Sequence, residues 1–233
     1  MNLVQLIDRN GVRRVAAPTS DGRALRVLRG EEGVRDLALE AAREGIRLDA
    51  VVAERLGSEE LSYDEAVSEQ RLLPPIDHPD SAHCIVTGTG LTHLGSAQSR
   101  DAMHAKLEAE SLALTDSMTM FMLGLEGGKP AAGEVGVTPE WFYKGDGQCI
   151  VPTGHALDIP PFAEDGGEEA ELFGIYVISD VGEPLRVGFT VGNEFSDHVL
   201  EQRNYLYLAH SKLRTCSIGP ELRLGDLPRH VEG

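Results

Sequence analysis

The sequence predicts an α+β fold made mainly of β-strands, with a small N-terminal α/β region. Three observations predict it: short apolar runs separated by turns at the start, two segments with helical spacing, and turn signals roughly every 8 to 12 residues after about residue 126. The composition suits such a domain, since 41% of the 233 residues are hydrophobic and 25% are charged. Both shares are close to those of ordinary globular proteins.

The first 76 residues form the predicted N-terminal region. Apolar runs at 3–7, 12–17 and 24–28 alternate with turn signals and indicate a small β meander. Apolar residues then recur at helical spacing from 33 to 56, with a break expected near Gly45. The Leu-Leu-Pro-Pro run at 72–75 cannot continue a helix or a central strand. We therefore predict two domains, 1–76 and 77–233.

The second region begins with a predicted buried strand from His83 to Val86, which leads into a Gly-rich turn at 87–90. Residues 99–123 have the composition of a helix, rich in Ala, Leu, Met and Glu. Short strands are predicted from there onward, and sustained helical spacing returns only at about Ser196.

The charge and cysteine content exclude several classes of function. The formal net charge is −17 and the basic residues are scattered, so neither nucleic acid nor an anionic membrane is an expected partner. No apolar stretch approaches the roughly 20 residues of a membrane span, and we expect a cytoplasmic protein. Cys84, Cys149 and Cys216 are few and far apart, so we expect neither a disulfide framework nor a cysteine-based zinc site.

Glu169-Ala170-Glu171 is the first candidate site, because residues two apart on a strand point to the same face. Apolar residues at 175–178 follow directly, which favours a strand with a buried face over an acidic loop. Two carboxylates held close together repel unless a proton or a cation joins them. A divalent metal with oxygen ligands is one solution; a solvated acidic edge is the alternative.

A second polar cluster, 192–198, follows the apolar strand 187–191. Glu194 offers a third carboxylate, with Asn193 and Ser196 as hydrogen-bond partners. Alternatively, Asn193 or Ser196 is the N-cap of a helix that carries Val199 and Leu200. The two roles are compatible.

The order of these motifs resembles the fumarylacetoacetate hydrolase family over residues 83 to 220. The run 139–144 is similar to the family's Pro-x-x-Phe-x-Lys strand, and Glu169-x-Glu171 to its paired-glutamate metal motif. Residues 192–196 resemble its Asn-Asp-x-Ser-Ala-Arg-Asp element, and Lys212 with the Gly-Pro pair at 219–220 resembles its Lys and Gly-Pro segment. Two departures stand out: Glu194 replaces an Asp of the family, and His198 replaces an Arg.

The resemblance implies a distorted β-roll, a homodimer, and a Mg²⁺ ion (or Mn²⁺ or Ca²⁺) bound by Glu169, Glu171 and Glu194. The substrate would be a small 2-oxo acid that passes through a metal-stabilised enolate. The residues that would bind this substrate are Lys144, Lys212, Ser196 and Asn193. The residues that would take part in catalysis are His104, or in second place His93, as the group that moves the proton, together with Lys144.

Each of the two lysines is also compatible with a purely structural role. Lys144 could be a surface lysine that extends along a strand. Lys212 could simply cap a helix C-terminus.

The Gly-rich opening at 87–96 and the stretch 116–121 look most like bacterial family members of sugar-acid breakdown. We therefore expect a metal-dependent lyase that dehydrates a 2-keto-3-deoxy sugar acid, such as 2-keto-3-deoxy-arabinonate. The alternatives are a C–C bond hydrolase of an acylpyruvate and a non-catalytic module that binds sugar acids. Family members generally continue well beyond their Gly-Pro segment, so we expect this chain to be incomplete at its C-terminus.

Overall fold

A computed structural model describes residues 1–30, 33–88, 123–124, 126–127, 130–137 and 141–227. Contacts group the chain into two compact units, one formed by Met1–Ile85 with Gly145–Gly233 and one formed by Val86–Lys144. The boundary expected after residue 76 was placed from a change in sequence composition. The contact-based units have their boundaries elsewhere, after residues 85 and 144. No helix in the described part of the chain has the length and apolar character needed to cross a bilayer.

The N-terminal meander is confirmed. Three strands, each antiparallel to the next, form it: β1 (Asn2–Ile7), β2 (Arg13–Pro18) and β3 (Ala24–Leu28). Two more strands extend it, β4 (Leu56–Ser62) beside β3 and the short β5 (Leu72–Leu73) beside β1. The prolines that follow β5 end it after two residues, as their missing N–H groups require.

Helical spacing from 33 to 56 produces two helices, α1 (Val34–Glu44) and α2 (Leu48–Arg55). Gly45 lies between them with a φ of 65°, a left-handed conformation that a residue without Cβ adopts at little cost. The break predicted there is confirmed. A third helix, α3 (Tyr63–Ser68), begins at Ser62, whose hydroxyl accepts a hydrogen bond from the Glu65 N–H.

The remaining strands of the first unit come from its C-terminal part. They are β8 (Ile150–Val151), β9 (Ala170–Ile178), β10 (Pro184–Asn193), β11 (Cys216–Ile218) and β12 (Leu222–Leu224). β9 and β10 form a long antiparallel hairpin, and β10 also pairs with β11 and β12. β12 pairs with β1, so the meander and the C-terminal strands belong to one sheet. The predicted α+β, mainly β architecture is confirmed.

The hairpin packs one face into the core. Ile175 and Val177 of β9 and Val187 of β10 are buried together with the apolar face of α1. Each such side chain contributes about 1.5–3 kcal/mol when it is removed from water. The burial of these side chains shows which residues of β9 point toward the core. Because side chains alternate along a strand, it also shows which of the residues just before β9 share that face.

Two further strands, β6 (Ile85–Gly88) and β7 (Phe142–Asp146), form a separate two-stranded sheet. The Thr87 hydroxyl donates a hydrogen bond of 2.6 Å to the Phe142 carbonyl. The strand expected at 83–86 is thus displaced: Ser81–His83 forms a short 3-10 turn that Asp80 caps, and Ile85 is exposed. Asp80 accepts the Ala82 N–H, and this local bond competes with an extended conformation.

Two short helices complete the described chain, α4 (His198–Arg203) and α5 (Leu208–Lys212). The N-cap of α4 is Asp197, whose carboxylate accepts a hydrogen bond of 3.0 Å from the Leu200 N–H. The expectation that Asn193 or Ser196 caps this helix is therefore wrong. The side-chain oxygens of both residues form other hydrogen bonds: that of Asn193 accepts two backbone N–H groups, and that of Ser196 accepts from Lys212.

Candidate metal centre

The β9–β10 hairpin brings three glutamates together, which we call the carboxylate cluster: Glu169, Glu171 and Glu194. Glu171 lies opposite Gly192 in the antiparallel register, and the Glu194 N–H donates a hydrogen bond of 2.8 Å to the Glu169 carbonyl. The three residues are thus neighbours across two adjacent strands. One side-chain oxygen from each lies within 4.8 Å of the other two.

Asn193 fastens the turn that aims Glu194. Its Oδ1 accepts the Glu169 N–H at 3.1 Å and the Phe195 N–H at 3.0 Å. Phe195 has a φ of 37°, which is a left-handed conformation that a bulky residue rarely adopts. Such conformations persist where surrounding bonds hold them and are common at functional sites.

The ammonium of Lys212 lies among the glutamates. Its Nζ is 2.9 and 3.0 Å from the two oxygens of Glu169, 3.2 Å from Glu194 Oε1 and 2.8 Å from Oε1 of Glu201 on α4. It also donates to Ser196 Oγ at 3.0 Å, and that hydroxyl is 3.2 Å from Glu194 Oε1. Only 2% of the lysine side chain is exposed, so these contacts are shielded from water.

The charges shift the pKa values in the expected directions. Burial alone raises the pKa of the Glu169 carboxyl, but the nearby Lys212 ammonium outweighs burial and lowers it from 4.5 to about 2. Burial alone lowers the pKa of Lys212, and the surrounding glutamates outweigh it and raise that pKa. Glu169 and Lys212 are therefore both charged at neutral pH.

Carboxyl groups outnumber the ammonium beside them. Oxygens of Glu169, Glu194 and Glu201 lie within 3.2 Å of the Lys212 Nζ. The Glu171 carboxyl lies within 4.8 Å of the first two. Carboxylates held this close to one another favour an added cation.

The spacing of the carboxylate cluster fits a divalent cation. Oxygens on opposite sides of Mg²⁺ lie about 4.2 Å apart, and those around Ca²⁺ about 5 Å apart. The 4.8 Å limit lies between these values.

His198 also contacts the cluster, and sequence reasoning did not select it. As the first residue of α4, it donates its Nε2–H to Glu169 Oε1 at 2.9 Å, while its Nδ1 is 3.8 Å from Asp165. Its ring lies against Gly167, where an added Cβ would come within 2.5 Å of Nδ1. The Gly-Gly pair at 166–167 was a usable signal, since paired glycines beside a strand often mark a close approach of other atoms.

Glu201 was missed as well. It lies three residues after His198, so the two side chains share one face of α4. Ser211 Oγ donates to its Oε1 at 2.9 Å. That i, i+3 spacing beside the polar cluster was the signal that could have found it.

A buried ion pair links the two chain segments that flank the carboxylate cluster. Arg214 Nη2 is 3.1 Å from Asp197, and neither side chain is exposed. The same guanidinium donates to the carbonyls of Asp165 and Ser196 at 2.7 and 3.2 Å. It therefore joins the segment before Glu169 to the segment after Glu194.

The structure brings together five of the residues chosen from the sequence: Glu169, Glu171, Glu194, Ser196 and Lys212. Asn193 lies beside them. Their roles toward a metal and a substrate stay predictions.

The other three residues chosen from the sequence are Lys144, His93 and His104. Lys144 lies on β7 in the second unit and is 2% exposed, so it is not a surface lysine. His93 and His104 fall outside the described residues.

Comparison with known proteins gives both sequence and structural relatives. A "Probable 2-keto-3-deoxyxylonate dehydratase" of Haloferax volcanii is 38% identical over 84 residues, which are 35% of this chain and 27% of that protein. The match thus spans about a quarter of that relative's length. No protein-family model matches the chain.

Among solved structures, the apo form of 2-keto-3-deoxy-D-arabinonate dehydratase aligns with a TM-score of 0.62 at 20% identity, over 99% of this chain and 68% of that one. The same enzyme complexed with magnesium and 2,5-dioxopentanoate aligns with a TM-score of 0.59 at 19% identity, over the same shares. The chain therefore has the fold of these dehydratases. The resemblance seen in the sequence motifs, and the fold it implied, are confirmed.

Proposed function

We propose that this chain forms the metal-binding part of a lyase that dehydrates a 2-keto-3-deoxy sugar acid, such as 2-keto-3-deoxy-arabinonate. One observation carries the proposal: three glutamate oxygens lie within 4.8 Å of one another. The dehydratase names of the sequence relative and of the solved structures support the choice of reaction.

The carboxylate cluster would hold the cation, with Mg²⁺ as first choice because a structural neighbour was complexed with magnesium. Mn²⁺ and Ca²⁺ are the other candidates, since both accept the same oxygen ligands. A bound divalent cation would act as a Lewis acid that polarises the adjacent carboxylate and keto groups of a 2-oxo acid. Such polarisation makes the proton at C3 easier to remove.

Lys212 has two tasks in this proposal. It holds Glu169 and Glu194 in place, because its ammonium contacts both at 2.9 and 3.2 Å. It also offers a positive charge to the substrate's carboxylate. An ammonium has only three N–H donors, so a substrate oxygen would replace one of its present acceptors, of which Ser196 Oγ is the neutral one.

Dehydration removes a proton from C3 and the hydroxyl from C4 as water, which leaves a double bond between C3 and C4. To give 2,5-dioxopentanoate, C5 and its hydroxyl must then each lose a hydrogen while C3 and C4 each gain one. A general base must therefore reach C3 and an acid must reach the departing hydroxyl. His104, or in second place His93, is proposed for the proton transfer, with Lys144 as a further participant. His198 holds Glu169 through its Nε2 and is proposed as a positioning residue.

Turnover tests the proposal directly. The chain is incubated with Mg²⁺ and 2-keto-3-deoxy-arabinonate, and 2,5-dioxopentanoate is measured; acylpyruvates are tested in parallel for release of pyruvate. We expect turnover of the sugar acid, abolished in Glu169→Gln and retained in Glu168→Gln, since Glu168 is exposed and out of phase with the cluster. Turnover of acylpyruvates alone would favour a C–C hydrolase instead.

The absence of any turnover leads to a different conclusion. If sugar acids bind without reacting, the chain is a binding module. If metal binding also survives the loss of both Glu169 and Glu171, the proposed site is wrong.

A further inference from the structure

Two cysteines that are far apart in sequence meet in the fold. The Sγ atoms of Cys149 and Cys216 lie 4.0 Å apart, although the two residues are 67 positions apart along the chain. Neither cysteine forms a disulfide in this structure. No short motif indicated that they would meet, because neither belongs to a Cys-x-x-Cys pair.

A parallel strand pair brings them together. β8 pairs with β11 so that Ile150 lies beside Cys216, and Cys149 directly precedes Ile150. Gly145 makes room for the Cys149 thiol, because a Cβ at that position would come within 2.9 Å of its Sγ. The contact therefore depends on backbone pairing and close packing, which keep the two thiols near each other.

We propose that Cys149 and Cys216 are an oxidisable pair that closes to an intramolecular disulfide when the chain meets a small disulfide oxidant such as oxidised glutathione. A disulfide bond is about 2.05 Å long, so each sulfur needs to move only about 1 Å. This inference rests on the thiol geometry and is independent of the function proposed above.

The disulfide forms by two successive thiol–disulfide exchanges. The Cys149 thiolate attacks one sulfur of the oxidised glutathione, which breaks its S–S bond and releases one glutathione thiolate. The Cys216 thiolate then attacks the Cys149 sulfur of the mixed disulfide and releases the second glutathione. The two cysteine sulfurs are oxidised, one glutathione disulfide is reduced, and the two protons lost by the cysteines pass to the two glutathione thiolates.

Exposure sets the order of these steps. Cys149 is partly exposed, whereas Cys216 is completely buried, so an oxidant in solution meets Cys149 first. Cys84 is the third thiol, and burial, followed by the nearby Asp77, raises its pKa. A raised pKa leaves less thiolate to react, which makes Cys84 the natural control.

Closing the bond would tether β8 to the start of β11. Lys212 and Arg214 lie just before β11, so the bond would restrain the segment that carries them. A crosslink over a long loop stabilises mainly by restricting the unfolded chain. The oxidised chain should therefore resist urea more than the reduced chain.

Thiol mapping tests the inference on the 233-residue chain. The reduced protein is incubated with oxidised glutathione, its free thiols are alkylated, and its unreduced peptides are identified by mass spectrometry. We expect one peptide pair linked through Cys149 and Cys216, with Cys84 alkylated. Cys84→Ser should retain the crosslink, and Cys149→Ser, at a partly exposed position, should lose it.

Three results would overturn the inference: alkylation of all three thiols, a crosslink that includes Cys84, or a glutathione adduct on Cys149 that never resolves. The urea midpoint of Cys84→Ser is measured with and without oxidation as the second readout. We expect a higher midpoint for the oxidised form. Equal midpoints would contradict the proposed tether.

Discussion

Lys212 controls the charge balance of the carboxylate cluster. A buried ammonium is stable only when charged partners compensate it, and here Glu169, Glu194 and Glu201 do so at 2.9, 3.2 and 2.8 Å. The compensation is mutual, since the glutamates would otherwise repel one another. The lysine therefore holds the cluster in a compact form that a divalent cation can join.

Replacing this lysine should be costly. We expect Lys212→Met to lower the free energy of unfolding by about 3–5 kcal/mol, because it removes the ammonium that the buried carboxylates share. Added Mg²⁺ should restore part of the loss by replacing the missing positive charge. Urea denaturation with and without Mg²⁺ measures both effects.

Arg26→Met is the matched control, since Arg26 pairs with Glu60 on the surface, where both side chains are 47% exposed. Removing an exposed pair should cost less than about 1 kcal/mol. Equal unfolding midpoints for Lys212→Met and Arg26→Met would contradict the role given to Lys212.

Among the elements, the β9–β10 hairpin shows what local sequence can predict. The alternation that places Ile175 and Val177 in the core also gives the phase of Glu169 and Glu171, and both follow from neighbouring residues alone. The register with β10 brings Glu194 beside them. That register is set by the turn at 179–183 and by the register shift between Arg186 and Gly188, and alternation along the strands gives neither.

The cap of α4 shows the limit of such reasoning. Asn193, Ser196 and Asp197 are all good N-cap residues, so composition does not select among them. The choice of Asp197 depends on Arg214, which lies 17 residues later and pairs with it. The contact between Cys149 and Cys216 was missed for the same reason, because it arises from the pairing of β8 with β11.

The close approach of α4 to the segment before β9 gives a prediction at this scale. We expect Gly167→Ala to push the His198 ring away from Glu169, because the added Cβ would lie 2.5 Å from Nδ1. The unfolding free energy should fall by about 1–3 kcal/mol. The affinity for Mn²⁺ should fall about 10–100-fold, as expected when a partner of a metal ligand is lost.

Gly166→Ala is the control for this change. An added Cβ there meets the Ile159 side chain at 3.0 Å and the Phe195 ring at 3.4 Å, and a flexible side chain can move aside. Calorimetric titration with Mn²⁺ compares the two variants. If both bind Mn²⁺ with the same affinity, His198 does not position Glu169.

For the whole molecule, the pairing of β1 with β12 is the feature that the sequence did not reveal. It joins Leu3 to Leu222, residues from opposite ends of the chain, in one sheet. Turn signals and alternation predicted the separate strands on both sides of it. They carry no information about which distant strands pair, because strand pairing depends on contacts over the full chain.

The homodimer expected from the family resemblance stays a prediction, and the outer face of the β9–β10 hairpin is a candidate interface for it. Leu172, Tyr176, Ile178 and Val191 are 46%, 55%, 62% and 65% exposed on this face. Exposed apolar patches of this kind often mark interfaces. We expect the chain to sediment as a dimer and Tyr176→Lys to sediment as a monomer, with Glu183→Lys at the exposed end of the hairpin as control.

Analytical ultracentrifugation distinguishes these outcomes. A parent chain that sediments as a monomer at every concentration tested would contradict the expected homodimer. A dimer that Tyr176→Lys leaves intact would place the interface elsewhere.

The binding of one divalent cation by the carboxylate cluster is tested most directly by Mn²⁺ titration, with free Mn²⁺ followed by electron paramagnetic resonance. Glu171→Gln is the informative variant, because Glu171 is exposed and its loss leaves the Lys212 contacts with Glu169 and Glu194 intact. We predict one bound Mn²⁺ per chain in the parent and in Glu168→Gln, with at least about tenfold weaker binding in Glu171→Gln. Equal Mn²⁺ affinity in all three proteins, or no saturable binding in the parent, would contradict the metal centre.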